Sequence, residues 1–248
     1  KLDKAKRLCY IITMWIKESI KRGNKMRDHF NLGGVDVFIK DQLPEHIDVS
    51  FVFEYISSRI PFYFMEGIDI IYIGRFPEMK ERDINAFFEN GAIYVTNNQD
   101  DEMDLIDDII HEIAHAVENN YQEYIYSPGV LQREFMAKRE RLEILLSQDY
   151  NVPSDFTVNF DYDKDIDNFL YKDVGYDNLS QIAVNIFPSP YAATSVREYW
   201  AKGFEEMFVG DKSKLRSLCP VLYKFMAGLI KELSDNTWQT SPNMLDYM

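Results

Sequence analysis

Residues 104–117 place apolar side chains at helical spacing and carry the pattern His-Glu-x-x-His, which reads HEIAH in this chain. At about 100° per residue, His111 and His115 are separated by roughly 40° around a helix, so both imidazoles leave the same side. The apolar residues of the opposite arc are Ile106, Ile109, Ile110, Ile113 and Val117. The segment therefore predicts a helix that packs its apolar stripe on a core while His111, Glu112 and His115 face a cleft.

Two neutral imidazoles at positions i and i+4 of one helix suit a zinc ion, and a glutamate directly after the first histidine can act as a general base. The alternative is a chance occurrence of the pattern on a helix surface. Context favours a metal, because two of the four histidines of the chain stand at this spacing and an apolar β-rich run comes just before them. His29 and His46 form no comparable cluster. The sequence therefore predicts a Zn²⁺ site that includes His111 and His115.

A catalytic zinc ion needs a third protein ligand and keeps its fourth position for water. The third histidine of the longer pattern HExxHxxGxxH is absent, because Glu118 and Tyr121 occupy the Gly and His positions. A carboxylate is therefore expected. Glu134 follows His115 after 18 residues, a spacing used by one group of aminopeptidases, and Glu198 lies much further along the chain.

Residues 194–208 predict a second amphipathic helix, with Glu198 on its polar face together with Lys202 and Glu205. The apolar residues opposite the carboxylate are Val196, Trp200, Phe204, Met207 and Phe208. Ser195 and Glu198 also fit a capping box, in which the glutamate reaches back to the amide of the N-cap residue. Spacing alone leaves both roles open for Glu198.

HEIAH followed by the segment EYWAKGF resembles the zinc-binding domain of the anthrax lethal factor and the secreted clostridial Pro-Pro endopeptidases, which are gluzincin metalloproteases. The resemblance covers residues 92–208 and implies a zincin-like fold with Glu198 as the third zinc ligand. In that family a Tyr seven residues before this Glu points at the scissile carbonyl, and Tyr191 stands at that position here. Similar glutamate helices occur in phage-encoded proteins, so the resemblance extends to a phage-encoded relative.

The implied activity is the hydrolysis of a peptide or protein substrate by a water molecule that zinc activates. Glu112 is expected to accept the proton of that water and to deliver it to the leaving amine. The hydroxyl of Tyr191 is expected to stabilise the negative charge that develops on the carbonyl oxygen. An extended peptide is expected to pair with the strand at residues 92–96, provided that this strand is an edge of its sheet. The substrate-binding residues of that strand are Ile93, Tyr94 and Val95.

The chain departs from that family at two points. His115 and Glu198 are separated by 82 residues, which predicts an irregular insertion at about residues 120–190 that reshapes the substrate cleft. Lys202 stands where the family often has a second Glu one turn after the ligand, and Glu205 is expected to support the site in its place.

These departures favour a second function, namely a catalytically silent structural or partner-binding protein that keeps the metalloprotease fold. The presence of Glu112, Tyr191 and the three expected ligands favours the enzyme, because a module kept only for its shape has no physical need for a general base.

The order of elements predicts an α+β chain with a small mixed β-sheet lobe at 1–100 and a mainly helical lobe at 101–248, together forming one domain. Apolar β-rich runs predict strands at 35–39, 68–73 and 91–96. Residues 46–60 predict a helix between the first two strands, although alternation of apolar residues there is also compatible with a strand. Within the helical lobe, the Asp-, Tyr-, Asn- and Pro-rich stretch 149–190 is expected to be irregular.

The net charge of the chain disfavours some classes of binding partner. The chain of 248 residues has 27 basic and 41 acidic residues, a net charge of −14, which disfavours nucleic acid and anionic membrane surfaces. Residues 8–20 are too short and too charged to span a bilayer and predict an amphipathic helix. Cys9 and Cys219 do not form a disulfide framework and are expected to be buried thiols. We therefore expect a soluble chain, and both a secreted and a phage-associated location fit the sequence.

Overall fold

A five-stranded mixed sheet is built from the first third of the residues that the structure describes, which are 28–82 and 84–240 of a computed structural model. The strands are β1 (Asp28–Leu32), β2 (Val35–Ile39), β3 (Ile70–Ile73), β4 (Ala86–Glu89) and β5 (Ala92–Val95). Their order in the sheet is β1-β2-β3-β5-β4. The inner pairs β2–β3 and β3–β5 are parallel, and the outer pairs β1–β2 and β4–β5 are antiparallel. The strands predicted at 35–39, 68–73 and 91–96 are confirmed as β2, β3 and β5.

The outer strands β1 and β4, which are not among the predicted strands, are joined to the sheet by two-residue turns. Gly33 and Gly34 join β1 to β2, and their φ angles are 59° and 97°. Asn90 and Gly91 join β4 to β5, with φ angles of 52° and 81°. Two successive residues with positive φ make the tight hairpin turn that Gly-Gly and Asn-Gly favour, because these residues tolerate the left-handed region.

The position of β5 contradicts the expectation that it receives an extended peptide. β5 is hydrogen-bonded to β3 on one side and to β4 on the other, so its main-chain groups are already used. Its side chains Ile93, Tyr94 and Val95 are buried as well. The physical reason is the Asn90-Gly91 turn, which folds β4 back onto the side of β5 that would otherwise be an edge. The edges of the described sheet are β1 and β4.

Both faces of the sheet are covered. On one face, the inner strands contribute side chains that are fully buried, including Val37, Ile71 and Ile93. On the other face, aromatic side chains of neighbouring strands stack, with ring centroids 5.5 Å apart for Tyr72 and Tyr94 and 4.6 Å apart for Phe87 and Tyr94. Burial of both faces explains why the inner strands read as apolar runs rather than as alternating ones.

Helix α1 (Val49–Arg59) connects the parallel strands β2 and β3. It begins where the carboxylate of Asp48 accepts the N–H groups of Ser50 and Phe51, at 3.0 and 3.2 Å. Phe53 packs its ring on Phe30 of β1, with centroids 5.3 Å apart. The helix predicted for residues 46–60 is confirmed, and the strand alternative is excluded.

The other helices follow from the apolar spacing of the second part of the sequence. They are α2 (Pro77–Arg82), α3 (Glu102–Asn120), α4 (Gln122–Tyr126), α5 (Val130–Leu146), α6 (Lys164–Asn168), α7 (Tyr176–Ile182), α8 (Val196–Phe208), α9 (Lys212–Leu218) and α10 (Pro220–Thr240). Short 3₁₀ turns lie at Phe62–Met65 and Tyr191–Ala193, and a π-helical segment lies at Phe169–Val174. The predicted mixed α+β class, with a small mixed sheet followed by a mainly helical remainder, is confirmed.

The segment 120–190 is only partly irregular, which corrects the expectation of an irregular insertion. Helix α5 has 17 residues and buries side chains at helical spacing, among them Leu131, Phe135, Leu142 and Leu146. After it, residues 149–190 hold only short helical pieces separated by turns. The apolar residues of α5 recur at helical spacing, and a helix therefore forms there although the neighbouring sequence is polar.

The chain divides into two compact units whose boundary falls between Ala116 and Val117, inside α3. The predicted single domain over residues 1–248 stays a prediction, and the helix expected at residues 8–20 lies outside the described residues. Cys219 is buried and free, as expected, whereas Cys9 also lies outside the described residues. None of the helices described at 28–82 and 84–240 is apolar enough over a sufficient length to cross a bilayer.

Candidate metal centre

The His-Glu-x-x-His pattern lies on α3, where the predicted helix is confirmed. The Nε2 atoms of His111 and His115 lie 3.2 Å apart, and their ring centroids are separated by 4.8 Å. The apolar stripe predicted on this helix is buried, with Ile106, Ile109 and Ile113 fully covered. The Nε2 atoms of the two imidazoles therefore lie close together. The buried apolar stripe fixes the helix that carries them.

Helix α8 supplies the third donor. It begins at Ser195, whose Oγ accepts the N–H of Glu198 at 3.2 Å. One donor atom from each of His111, His115 and Glu198 lies within 4.8 Å of the others, so this group can hold a metal ion. The Oε2 atom of Glu198 is buried and has no hydrogen-bond partner among the described residues, although the side chain has other interactions.

The separation of the two histidine nitrogens fits a shared metal ion. Two nitrogens that each lie about 2.05 Å from a tetrahedral zinc ion are about 3.3 Å apart, and the observed separation of the Nε2 atoms is 3.2 Å. His115 is buried and His111 is half-buried. Two imidazoles and one carboxylate are also the ligand set of many catalytic zinc sites.

Glu134, the other candidate ligand, has a different set of partners. Its carboxylate accepts the N–H groups of Val221 and Leu222, at 2.9 and 3.0 Å, and the hydroxyl of Tyr199, at 2.9 Å. The two N–H groups belong to the first turn of α10, where a negative charge is favourable. Glu134 therefore serves as a cap of that helix, and burial raises the pKa of Tyr199, which keeps its hydroxyl a donor.

Glu118 and Arg197 form an ion pair next to the third ligand. Arg197 Nε lies 3.0 and 3.1 Å from the two carboxylate oxygens of Glu118, and the hydroxyl of Tyr126 donates to the same carboxylate at 2.7 Å. Burial and the negative charge of Glu118 raise the pKa of Tyr126, so the hydroxyl keeps its proton. Because Arg197 directly precedes Glu198, the pair restrains the first turn of α8.

Arg139 holds the chain that leads into α8. This residue is fully buried, and its guanidinium donates to four carbonyl oxygens, those of Phe156, Asn159, Ala193 and Thr194, at 2.6 to 3.0 Å. Burial lowers the pKa of Arg139 to about 10, which leaves it charged at neutral pH. A rigid fork of five donors suits such a set of acceptors. Arg139 therefore fixes the two residues that come directly before the N-cap of α8.

Glu112 and Tyr191, the two predicted catalytic residues, lie on α3 and just before α8. Glu112 is buried on α3, directly after His111. Tyr191 opens the 3₁₀ turn before α8, is 36% exposed, and meets the ring of Tyr176 edge-on with centroids 6.2 Å apart. Their roles as general base and as oxyanion donor stay predictions.

Lys202 and Glu205 contact each other on α8. The ammonium of Lys202 donates to Glu205 Oε2 at 2.8 Å. Their expected support of the metal ligands stays a prediction.

Arg139 and Arg197 are two supporting residues that the sequence motifs do not indicate. Arg139 occupies a core position in the series Phe135, Leu142 and Leu146, and a charged residue inside an apolar period is a signal that could have marked it. Arg197 gives no such signal, because its partner Glu118 lies 79 residues away in the sequence.

Comparison with protein-family models, curated proteins and solved structures finds no match to this chain. The activity must therefore be inferred from its own residues and their geometry.

Proposed function

We propose that this protein is a zinc-dependent endopeptidase with a zincin-like fold of the gluzincin type. The observation that supports it is the convergence of donor atoms from His111, His115 and Glu198. Glu112 stands on the same helix directly after the first histidine, as a general base of this class requires.

In this proposal, His111, His115 and Glu198 hold the metal, and Glu112 moves the proton. Zinc, when bound, would lower the pKa of a water molecule toward about 7 and polarise a peptide carbonyl. The carboxylate of Glu112 accepts the proton of the attacking water and then donates it to the nitrogen of the leaving amine. The hydroxyl of Tyr191 donates a hydrogen bond to the carbonyl oxygen as it becomes negative.

The substrate is expected at the edge strand β4 instead of β5. An extended peptide gains main-chain hydrogen bonds by adding to a free sheet edge. β4 is such an edge, and its hairpin partner β5 leads to α3 through only six residues, 96–101.

Three isosteric Glu→Gln variants test which glutamate is the third metal ligand and whether Glu112 is the general base. Glu198→Gln should lose bound zinc and Glu134→Gln should keep it, because only the first removes a metal ligand. Glu112→Gln should keep one equivalent of zinc and lose nearly all hydrolysis. The measurements are zinc content after dialysis and cleavage of a peptide library, with and without a chelator.

The opposite pattern of zinc retention for Glu198→Gln and Glu134→Gln would show that the third ligand is misassigned. Stoichiometric zinc without cleavage of any peptide would favour the second function, a metal-stabilised structural or partner-binding protein. The observation in favour of that second function is the ion pair of Lys202 with Glu205, which occupies a carboxylate expected to support the site.

A further inference from the structure

A cleft of about 350 Å³ lies beside the start of α8 and is formed by residues of 118–197 alone. Its walls include Glu118, Gln132, Phe160, Asp161 and Arg197. The N–H of Val196 donates to the carbonyl of Phe160 at 2.8 Å, so the loop that forms one wall is tied to the helix of the proposed ligand Glu198.

Gln132 is one of the residues that line this cleft, and its side chain carries an unsatisfied acceptor. Its Nε2 donates to the carbonyl oxygen of Tyr126 at 3.0 Å, which fixes the orientation of the amide because a carbonyl can only accept. The Oε1 atom of Gln132 is then buried without a hydrogen-bond partner in the described part of the chain. A buried acceptor of this kind is costly unless a donor reaches it. A bound group that donates hydrogen bonds would satisfy it.

The charges of the cleft favour a cation. Glu118 and Arg197 neutralise each other through two contacts of 3.0 and 3.1 Å. Asp161 adds a further carboxylate at the cleft, so its walls carry one net negative charge. Phe160 is 37% exposed and offers an apolar surface for the methylene stem of a long basic side chain.

We propose that this cleft binds a Lys or Arg side chain of the peptide substrate, with the ammonium or guanidinium donating to Gln132 Oε1 and to the carboxylate of Asp161. The proposal rests on the proposed peptidase function for its substrate, and it makes the cleft a determinant of specificity. The net charge of −14 favours the approach of such peptides.

Hydrolysis of matched peptides gives the first test. Peptides that carry Lys, norleucine or Glu at each position in turn are compared by kcat/KM. At one position, Lys should exceed norleucine by about 10-fold or more, the range of a hydrogen bond to a charged group. Asp161→Asn and Gln132→Leu should each reduce that ratio by about 3-fold or more.

Asp149→Asn is the matched control, because it changes the net charge equally at an exposed position outside the cleft. It should leave the Lys-to-norleucine ratio unchanged. An equal loss of preference in Asp149→Asn would assign the effect to the overall charge and overturn the proposal.

A binding measurement separates this proposal from the peptidase function. The probe is an acetylated and amidated tripeptide with a central Lys, and its norleucine counterpart is the control. The side-chain amide resonance of Gln132 in the full chain should shift and saturate with the Lys peptide alone, and Asp161→Asn should weaken that response.

A saturating shift in a protein that cleaves nothing would leave the basic-side-chain site standing and remove the peptidase. Cleavage without a preference for Lys or Arg, and without the Gln132 shift, would support the peptidase function and overturn the basic-side-chain site.

Discussion

Three glutamates illustrate how partners decide the role of one residue type. Glu134 accepts two main-chain N–H groups and a tyrosine hydroxyl, Glu118 pairs with Arg197, and Glu198 lies with two imidazoles. A capping carboxylate and an ion-paired one have satisfied lone pairs and gain little from a metal. The carboxylate beside two imidazoles adds the negative charge that a divalent ion needs.

Tyr191→Phe tests the proposed oxyanion donor at the residue scale. Turnover should fall by about 100-fold while peptide affinity stays similar, because a donor that acts mainly in the transition state is lost. The measurement is kcat and KM on a cleaved peptide. Tyr171→Phe removes another exposed hydroxyl of the same segment and should have little effect. Equal turnover of wild type and Tyr191→Phe would remove Tyr191 from the mechanism.

At the scale of elements, helices and inner strands were predictable because the apolar period of the helices and the apolar runs of the strands are local features of the sequence. The helix of His111 and the start of α8 both follow from spacing alone. The outer strands depend on turns, and the Asn90-Gly91 dipeptide was the available signal for β4. The charge of Arg139 inside an apolar period was an available signal, but its four carbonyl partners could not be predicted, since contacts between distant segments carry no periodic signature.

Helices α8 and α10 approach each other closely at Gly203. A Cβ atom at this position would lie 2.9 Å from Cγ of Leu222 and 3.2 Å from Cε of Met226. Gly203→Ala should therefore destabilise the protein by about 1–2 kcal/mol, because overpacking outweighs the helix propensity gained. Urea unfolding measures the change. Combining it with Leu222→Ala should give a smaller loss than the sum of both variants, and strict additivity would contradict the close contact.

Arg139→Lys tests the support of the chain before α8. A lysine cannot reach four separated carbonyls, so buried acceptors lose their donor and stability should fall by about 2–4 kcal/mol. Zinc affinity should fall as well, since Ala193 and Thr194 lead into the helix of Glu198. Arg141→Lys, at an exposed position of the same helix, is the control and should change neither the urea midpoint nor the zinc affinity.

At the scale of the whole molecule, the excess of acidic residues shapes association more than folding. A net charge of −14 attracts cationic peptides and divalent ions at long range, and salt screens this attraction. Long-range attraction does not select one site, however, and the donor geometry of His111, His115 and Glu198 must provide the selection.

Zinc should stabilise the folded chain, because its proposed ligands are brought together only by folding. At free zinc of about 100 times Kd, the gain is about 2.7 kcal/mol, which corresponds to a rise in Tm of roughly 5–10 °C for a chain of this size. Thermal unfolding with zinc and with chelator measures it. Glu198→Gln should show no such rise, and an equal rise in that variant would place the binding elsewhere.

The shortness of β4 sets the length of peptide that the proposed enzyme can read. The strand has four residues, and in an antiparallel pair only alternate residues turn their N–H and C=O groups toward the neighbouring strand. Two residues are left to face outward, so an added chain gains about four main-chain bonds at most. Backbone pairing would then hold any short sequence almost equally well, and discrimination among substrates has to come from side chains.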